Sequence, residues 1–409
     1  MKTKAVRLYG KYDLRLEEFE LPEIADDEIL ASVMTDSICM STWKLVNQGA
    51  DHKKAPDNLA ENPVITGHEF CGELLKVGSA WADEFKPGDR VVVQANLMLP
   101  DAPWCPGYSY AYTGGDATYI VISKDVMNQN CLIKYHGDTW FEGSLLEPLS
   151  CIVGAFNANY HLVPGSYNHK MGIKAGGNTL IIGGTGPMGL IAIDYALHGP
   201  IQPGKLVVTG RKQAGLDRAA ELYPSQNGVD ITYVSTEGAE DEVALLRKAI
   251  GGGKYDDIFV MIPVASVVTD ASRLLAADGC FNFFAGPQDK NFMAPINFYD
   301  MHYSFVHYVG TSGGSAEDMR TAAKLVEEKK IDLANIVTHV LGLNACAQTT
   351  IDQKEIGGGK KLVYTHKNFD LTKLSEVDPE SELGRILAKT NGVWSKEAEE
   401  YILANEPEI

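Results

Sequence analysis

The sequence lacks any paired cysteine motif. Its seven cysteines are scattered through 409 residues, are odd in number and include no CxxC pair. Such a set does not form a disulfide framework, so we expect reduced thiols and a cytoplasmic location. The first residues, 1–6, also lack the apolar core of a signal peptide.

Long hydrophobic runs and an excess of positive charge are absent as well. The longest apolar region, residues 179–197, is interrupted by glycines and by Asp194, which fits a strand, turn and helix better than a membrane span. With 36 basic against 54 acidic residues, the net charge is −18. No long basic stripe is available for nucleic acid, and the charge disfavours an anionic membrane surface. We therefore expect a small-molecule ligand. An anionic small molecule could bind if a local cluster of lysine or arginine overrides the negative charge of the chain.

What is present is typical of a two-domain α/β protein. Up to about residue 125, short β-rich runs separated by turn residues predict a small barrel. These runs are Ala5–Leu8, Leu14–Phe19, Glu28–Val33, Phe70–Val77 and Arg90–Gln94.

From residue 179 the pattern changes to strands that alternate with helices, which predicts a doubly wound parallel sheet. The predicted strands after the first are Leu206–Thr209, Asp230–Val234, Tyr255–Ile262, Cys280–Ala285 and Phe305–Val309, and the helices are Gln213–Leu222, Glu240–Ile250, Ser266–Ala277 and Ala316–Glu328. A glycine- and proline-containing break near 155–178 is the best domain boundary. We predict one domain from 1–158 and 314–409, with a C-terminal extension, and a nucleotide-binding domain from 159–313.

The first strand of this sheet leads into a glycine motif, Gly184-Thr185-Gly186-Pro187-Met188-Gly189. We expect Gly184 to permit the sharp turn, Gly186 to let the backbone approach a pyrophosphate, and Gly189 to let the helix pack on the strand. The first N–H groups of the helix would then hold the phosphates. The alternative is a loop with no ligand, but the strand before the motif and the helix after it favour a dinucleotide site.

The residues after the next strand bear on which dinucleotide binds. An acidic residue there normally accepts hydrogen bonds from the ribose 2′-hydroxyl of NAD, but this strand ends in Gly210-Arg211-Lys212. Arg211 would form a charge-assisted fork with a 2′-phosphate, and a carboxylate would repel it. We therefore predict NADP(H) in preference to NAD(H). The alternative is that Arg211 stacks on the adenine or faces solvent.

Four residues before the sheet are candidate metal ligands: Cys39, His68, Glu69 and Glu147. Taken singly, each has an ordinary explanation, such as a buried thiol, a surface pair or a helix start. Taken together, a thiolate, an imidazole and a carboxylate are ligands that zinc accepts at a catalytic site with one exchangeable position. A carboxylate in place of a second thiolate leaves the ion more electropositive, so that it polarises an oxygen more strongly.

These residues carry a resemblance to a known family. The motifs are Cys39, Gly67-His68-Glu69 with Gly72, Gly114-Gly115-x-Ala117-x-Tyr119, Glu147-Pro148-Leu149 and Gly184-x-Gly186-Pro187-x-Gly189. Their order and spacing resemble those of the zinc-dependent medium-chain dehydrogenases/reductases over roughly residues 1–365. The Glu-Pro-Leu variant looks like the branch of polyol and sugar-phosphate dehydrogenases, and the long chain with its extension is similar to the sorbose-1-phosphate reductases.

The resemblance implies a GroES-like β-barrel catalytic domain and a Rossmann cofactor domain. It implies that Cys39, His68, Glu69 and Glu147 surround the catalytic zinc, with Glu69 and Glu147 alternating between ligand and outer position. Ser41 matches the hydroxyl that relays the substrate proton. The family also forms dimers or tetramers, and the edge strand Phe305–Val309 is a candidate pairing surface.

Three departures from the family pattern affect these expectations. Thr42 stands where many relatives have Asp, and Lys44 stands where some have a relay histidine, so that proton path is in doubt. Most relatives carry four closely spaced cysteines that bind a structural zinc, whereas region 94–114 has only Cys105. Because one thiol does not build a four-coordinate site, we predict one zinc per chain.

The predicted function is reversible hydride transfer between NADP(H) and a polyol or ketose, and the predicted substrate is a sugar phosphate such as sorbose 1-phosphate or glucitol 6-phosphate. Lys44, His52, Lys53 and Lys54 would supply cations for the phosphate, unless they form a solvated loop. Two alternatives stay open: a zinc-free quinone or enone reductase on the same scaffold, and a catalytically silent nucleotide-binding protein.

Overall fold

The computed structural model describes all 409 residues. It divides the chain into two compact units, each described here by itself. The first unit comprises Met1–Ser150, Ser315–Lys329 and Leu333–Ile409, and the second comprises Cys151–Gly314 and Lys330–Asp332. No helix combines the length and the apolar character that crossing a bilayer requires.

The first unit is built mainly from strands up to residue 134. The strands are β1 (Lys2–Gly10), β2 (Asp13–Glu20), β3 (Ile29–Ser37), β4 (Val64–Ile65), β5 (Phe70–Val77), β6 (Arg90–Val93), β7 (Tyr119–Ile122) and β8 (Leu132–Lys134). The helices that follow or interrupt them are α1 (Met40–Gln48), α2 (Lys124–Asn128), α3 (Trp140–Ser144) and α4 (Leu146–Ala158). The boundary between the units falls inside α4.

The second unit alternates strands and helices. Its strands are β9 (Tyr160–Leu162), β10 (His169–Met171), β11 (Asn178–Ile182), β12 (Lys205–Gly210), β13 (Asp230–Ser235), β14 (Tyr255–Val260), β15 (Leu275–Phe283) and β16 (His307–Gly310). Its helices are α5 (Pro187–His198), α6 (Gln213–Leu222), α7 (Glu242–Ala249), α8 (Ala265–Ser272) and α9 (Phe298–Tyr303).

The chain then completes the first unit. The strands of this part are β17 (Val337–Gly342), β18 (Lys360–Tyr364) and β19 (Thr372–Lys373). The helices are α10 (Ala316–Glu327), α11 (Leu343–Ile351), α12 (Gln353–Ile356), α13 (Glu382–Ala388) and α14 (Lys396–Asn405).

The strands of the first unit form an eight-stranded sheet and a three-stranded sheet. The larger sheet has the order β19-β17-β18-β3-β5-β6-β8, with β7 also paired to β3, and the smaller one has the order β2-β1-β4. Ile29, Val33, Phe70 and Val91 belong to one buried cluster beneath these strands. The short strands predicted from the sequence are all present, and β18 returns late in the chain to lie beside β3.

The second unit contains a six-stranded parallel sheet in the order β13-β12-β11-β14-β15-β16. This order confirms the doubly wound sheet, with the change of direction between β11 and β14. Several predicted boundaries are wrong: the strand predicted over Cys280–Ala285 spans Leu275–Phe283, and the strand predicted over Phe305–Val309 spans His307–Gly310. The helix predicted over Ser266–Ala277 ends at Ser272, because Leu275 is already paired with Tyr255 in β15.

The C-terminal extension is anchored in the first unit by a buried polar network. The Trp394 side chain is 1% exposed, and its Nε1 donates to the Tyr364 hydroxyl at 3.0 Å. The carboxylate of Glu399 accepts hydrogen bonds from the backbone N–H groups of Trp140 and Phe141, at 2.7 and 2.8 Å. Glu399 therefore accepts hydrogen bonds from backbone N–H groups at the start of α3, which have no acceptor within the helix.

Replacing Glu399 should change how stability depends on pH. Burial raises the pKa of Glu399 from 4.5 to about 7, although the N–H groups of Trp140 and Phe141 oppose the shift. Between pH 4.5 and pH 7 this carboxyl group is ionised in the unfolded chain but keeps its proton in the folded chain. The free energy of unfolding therefore falls as pH rises through this range, by at most about 1.4 kcal/mol per pH unit. Glu399→Gln removes this contribution.

The measurement is the free energy of unfolding from denaturant titrations at pH 5, 6, 7 and 8. The difference between wild type and Glu399→Gln should change across pH 5–7 and level off above it. The exposed neighbour Glu400 provides the control, and Glu400→Gln should keep the wild-type slope. If the free energy of unfolding of Glu399→Gln depended on pH in the same way as that of wild type, the raised pKa of Glu399 would be contradicted.

Candidate functional site

Three neighbouring strands of the first unit bring the candidate ligands to one place. In the antiparallel pairs, Asp36 lies opposite Phe70, and Ser37 lies opposite Leu362. The ladder continues past the end of β3, since Ser37 N donates to Glu69 O at 3.1 Å and Ile38 N donates to Lys361 O at 3.0 Å. Residues just after β3, just before β5 and at the start of β18 therefore share one end of the sheet.

Cys39, His68 and Glu69 meet there. One ligand atom from each lies within 4.8 Å of the others. Glu147 is buried near the N-terminus of α4, and its charge acts on the thiol of Cys39, but it is not a member of this close group. The structure thus brings together three of the four predicted ligands, and the fourth lies outside this close group but near enough for its charge to act on Cys39.

Both ring nitrogens of His68 lie within hydrogen-bonding distance of hydroxyl groups. Nδ1 lies 3.2 Å from the Thr42 hydroxyl, and Nε2 lies 3.2 Å from the Ser41 hydroxyl and 3.4 Å from that of Tyr108. Burial lowers the pKa of His68 to about 4, so the imidazole is neutral at physiological pH. A neutral ring whose second nitrogen is fixed by a hydrogen bond is the form that binds metals. Thr42 provides that partner where many relatives have Asp.

Cys39 is the N-cap residue of α1, and its sulfur accepts a hydrogen bond from the Ser41 hydroxyl at 2.9 Å. Burial, together with the nearby charge of Glu69, raises the pKa of this thiol to about 12. A coordinated dication reverses this situation because a metal-bound thiol is deprotonated. Ser41 therefore contacts both Cys39 and His68, at the position predicted for the proton-relay hydroxyl.

Glu69 forms a buried ion pair that the sequence did not reveal. The ammonium of Lys360 donates to both carboxylate oxygens of Glu69, and the Ser37 hydroxyl donates to one of them. The two charged side chains are 6% and 1% exposed. Burial pushes the pKa of Glu69 upward, but Lys360, His68 and Ser37 together lower it, so the carboxylate is ionised.

The chemistry of this donor set fits zinc. Thiolate, imidazole and carboxylate are its usual protein ligands, and the group is buried among polar partners that orient each side chain. Cys105 lies apart: its thiol donates to the carbonyl oxygen of Ala95 at 2.9 Å and accepts from Lys54 at 3.5 Å. The seven cysteines are all free thiols.

In the second unit, the glycine motif joins β11 to α5, as predicted. The left-handed turn residue is Gly183, with φ of 80°, rather than Gly184. Gly184 is required for a different reason, because a Cβ there would lie 2.4 Å from Val208. A Cβ on Gly189 would lie 2.4 Å from the backbone of Gly184, and the space around Gly186 is open. Gly186 is also the N-cap of α5, with Pro187 in its first turn.

Arg211 and Lys212 follow β12 and are both exposed. Neither forms an ion pair with a carboxylate. The position of a Cβ on Gly210 lies 2.7 Å from the Thr185 side chain, so the end of β12 adjoins the glycine motif. The two cations therefore stand next to the turn that would hold the phosphates of a dinucleotide.

Sequence reasoning missed Lys360 as a site residue and left Tyr108 unassigned. Lys360 follows three glycines and begins a short strand, a pattern that predicts a turn and nothing about a partner. Its role depends on the pairing of β18 with β3, which joins residues separated by more than 300 positions. Tyr108 lies in a loop, and only the folded chain places its ring beside His68, with centroids 4.9 Å apart.

Comparison with known proteins places these features in a family. Residues 25–131 match the alcohol dehydrogenase GroES-like domain, and residues 187–328 match the zinc-binding dehydrogenase domain. The first match contains Cys39, His68 and Glu69, and the second begins at Pro187 of the glycine motif.

Two relatives align with nearly the whole chain. The L-sorbose 1-phosphate reductase of Klebsiella pneumoniae is 60% identical over 408 residues, covering 100% of this chain and 98% of the relative. The mannitol-1-phosphate 5-dehydrogenase of Aliivibrio fischeri is 44% identical over 413 residues, covering 98% of this chain and 97% of the relative.

Solved structures share the fold at lower identity. A zinc-binding dehydrogenase from Sinorhizobium meliloti, determined with bound NADP, has a TM-score of 0.72 and 22% identity over 89% of this chain and 100% of that chain. The 2R,3R-butanediol dehydrogenase of Bacillus subtilis has a TM-score of 0.71 and 22% identity over 89% of this chain and 99% of that chain. The chain therefore belongs to the zinc-binding medium-chain dehydrogenases/reductases and is an oxidoreductase that acts on CH–OH donors.

Proposed function

We propose that this protein interconverts a phosphorylated ketose and the corresponding polyol phosphate with NADP(H), at one zinc per chain. The reaction class rests on the group formed by Cys39, His68 and Glu69. The substrate class rests on the full-length relatives, whose names specify sorbose 1-phosphate and mannitol 1-phosphate. L-Sorbose 1-phosphate is the first substrate that we would test.

The proposed metal ligands are Cys39, His68 and a carboxylate from Glu69 or Glu147. When bound, zinc would polarise the substrate oxygen and lower the pKa of the corresponding alcohol. Lys360 neutralises Glu69, so that the buried carboxylate does not stand unpaired. Thr42 holds His68 in the orientation that turns Nε2 towards Ser41 and Tyr108.

Ser41 is the proposed proton carrier. Its hydroxyl reaches the sulfur of Cys39 and lies within hydrogen-bonding distance of His68, so it stands beside the position of the reacting oxygen. Tyr108 lies on the other side of the same nitrogen and offers a second hydroxyl. Because Lys44 replaces the relay histidine of some relatives, the onward path of the proton differs from theirs.

Proposed cofactor contacts are Gly184, Thr185, Gly186, Pro187, Met188 and Gly189 for the pyrophosphate, with Arg211 and Lys212 for the 2′-phosphate. Support comes from the open space around Gly186 and from the two exposed cations beside Thr185. No acidic residue stands at the end of β12 to accept hydrogen bonds from a free ribose.

We also propose that two copies pair through β16, in a reducing cytoplasmic compartment. β16 is the last strand of the parallel sheet, so one of its edges is unpaired. Large apolar side chains are exposed on the segment that precedes it, namely Phe298, Tyr299, Tyr303 and Phe305. Such a patch beside a free sheet edge is typical of an interface.

The proposed activity predicts NADPH oxidation with a phosphorylated ketose. Zinc-replete protein should reduce L-sorbose 1-phosphate with a higher kcat/KM than L-sorbose, acetone or an enone such as cyclohexenone. The measurement is the loss of NADPH absorbance across this panel. Activity on the enone alone would identify a zinc-free type of reductase, and complete inactivity of zinc-replete protein would favour a binding role.

The zinc proposal predicts one ion per chain by metal analysis of purified protein. Cys39→Ser should lose most of the zinc and the activity, because a neutral hydroxyl replaces a charged ligand. Cys105→Ser applies the same chemical change to a buried thiol elsewhere and should keep one zinc.

A content of two zinc ions per chain would contradict the single-site proposal. Equal retention of zinc by Cys39→Ser and Cys105→Ser would contradict Cys39 as a ligand. Comparison of Glu69→Gln with Glu147→Gln then identifies the carboxylate ligand as the one whose loss releases the metal.

Cofactor preference should depend on Arg211. Wild type should favour NADPH over NADH in kcat/KM, and Arg211→Ala should lower that preference by roughly 10- to 100-fold, since a charge-assisted pair with the 2′-phosphate is lost. Lys205→Ala is the control, because Lys205 is exposed at the opposite end of the same strand. A wild type that prefers NADH, or an Arg211→Ala variant with unchanged preference, would refute the assignment.

A further inference from the structure

Tyr108 connects the metal-ligand group to a second group of side chains. Tyr108 is 4% exposed and its ring lies against His68, and two of its other neighbours come from the segment after α1. The His52 ring stacks on Tyr108 with centroids 5.6 Å apart and planes 23° apart. The Lys54 ammonium lies 4.9 Å from the centre of the same ring. Both residues therefore stand one aromatic ring away from His68.

The contacts of Lys54 are unusual for a lysine in an acidic protein. Its ammonium contacts the thiol of Cys105 and the face of Tyr108, and it forms no ion pair with a carboxylate. Lys360, by contrast, is neutralised by Glu69. The chain has a net charge of −18, and yet this half-buried ammonium has no carboxylate partner. Such an ammonium indicates a binding site for an anionic ligand.

The positive charges of three lysine side chains act on His52. The pKa of His52 is lowered to about 4, mainly by burial and then by the positive charges of Lys54, Lys53 and Lys44. Its Nδ1 accepts a hydrogen bond from Lys54 N at 3.2 Å, so in the neutral ring Nε2 carries the proton and is a donor. Lys44 is half-buried on α1, whereas Lys53 is exposed.

We propose that His52 and Lys54, which both contact the Tyr108 ring, form together with Lys44 of α1 the subsite that binds the phosphate group of the substrate. This inference rests on the proposed function and adds the residues that distinguish a phosphorylated sugar from a free one. A phosphate monoester carries close to two negative charges at neutral pH and offers three acceptor oxygens. Two ammonium groups and one imidazole N–H match that charge and those acceptors.

The position of the subsite explains why it would select substrates for this reaction. Tyr108 contacts His68 with its hydroxyl and Lys54 with its ring, so the phosphate and the reacting oxygen would lie on two sides of one side chain. Cations in a partly buried position bind a phosphate more strongly than exposed ones because water screens them less. The phosphate would then fix the sugar and orient its carbonyl group towards Ser41.

The test compares L-sorbose 1-phosphate with L-sorbose, two substrates that differ only in the phosphate. The readout is the ratio of their kcat/KM values with NADPH. Lys54→Gln should lower this ratio by roughly 10- to 100-fold, mainly by raising KM for the phosphorylated substrate, because a charge-assisted contact is lost. Lys54→Arg keeps the charge and should recover most of the ratio.

Lys86→Gln is the matched control for net charge. Lys86 is an exposed lysine in a turn of the same unit and lies outside the candidate site, so its replacement should leave the ratio within about 2-fold of wild type. Inorganic phosphate provides a second readout: it should compete with L-sorbose 1-phosphate, and its inhibition constant should rise in Lys54→Gln by a similar factor. Zinc content and thermal midpoint show whether each variant is folded, and His52→Gln replaces Lys54→Gln if the latter loses its metal.

The outcomes separate the two proposals. A wild type that shows no preference for the phosphorylated ketose would refute the proposed substrate. A wild type with that preference, retained in both Lys54→Gln and His52→Gln, would refute the subsite and leave the proposed function standing. An equal loss in Lys86→Gln would also refute the subsite, because it would assign the effect to net charge.

Discussion

The buried ion pair between Glu69 and Lys360 is the interaction on which the candidate site depends. Each ion would cost several kcal/mol to bury alone, and the pair is tolerated because one ammonium contacts both carboxylate oxygens while Ser37 donates a further hydrogen bond. The pair also ties β18 to the segment between β4 and β5. Breaking it by removing one partner would leave an unpaired charge in the protein interior, at a cost of about 3–5 kcal/mol.

The same pair sets the electrostatics of the residues around it. Asp36 and Asp116 are buried close by, and burial raises the pKa of both carboxyl groups, with the charge of Glu69 adding to the shift. Burial holds the thiol of Cys39 and the imidazole of His68 in their neutral forms, and the charge of Glu69 favours the neutral thiol but opposes the neutral imidazole. A metal ion at this place would therefore displace a proton from the thiol but none from the imidazole, which couples metal affinity to pH.

Most elements of the two units follow from local sequence patterns. The helix over Gln213–Leu222 and the strand over Phe70–Val77 were predicted with their observed ends, because apolar periodicity and flanking turn residues determine such boundaries. The boundary between α8 and β15 was wrong, since Leu274 and Leu275 fit a buried helix face as well as a strand, and pairing with Tyr255 decides between them. The sharp turn was predicted at Gly184, and only the backbone shows that the residue with positive φ there is Gly183.

The sequence by itself determined the fold class and the family, and it predicted the residues that would bind zinc and the dinucleotide, because these features rest on residue types and on their order along the chain. Only the tertiary structure decided that Lys360 pairs with Glu69, that Thr42 takes the place of a carboxylate partner for His68, and that His52 and Lys54 meet at Tyr108. These contacts join distant segments, and their geometry depends on strand register and burial. Neither property is encoded in the spacing of residues along the chain.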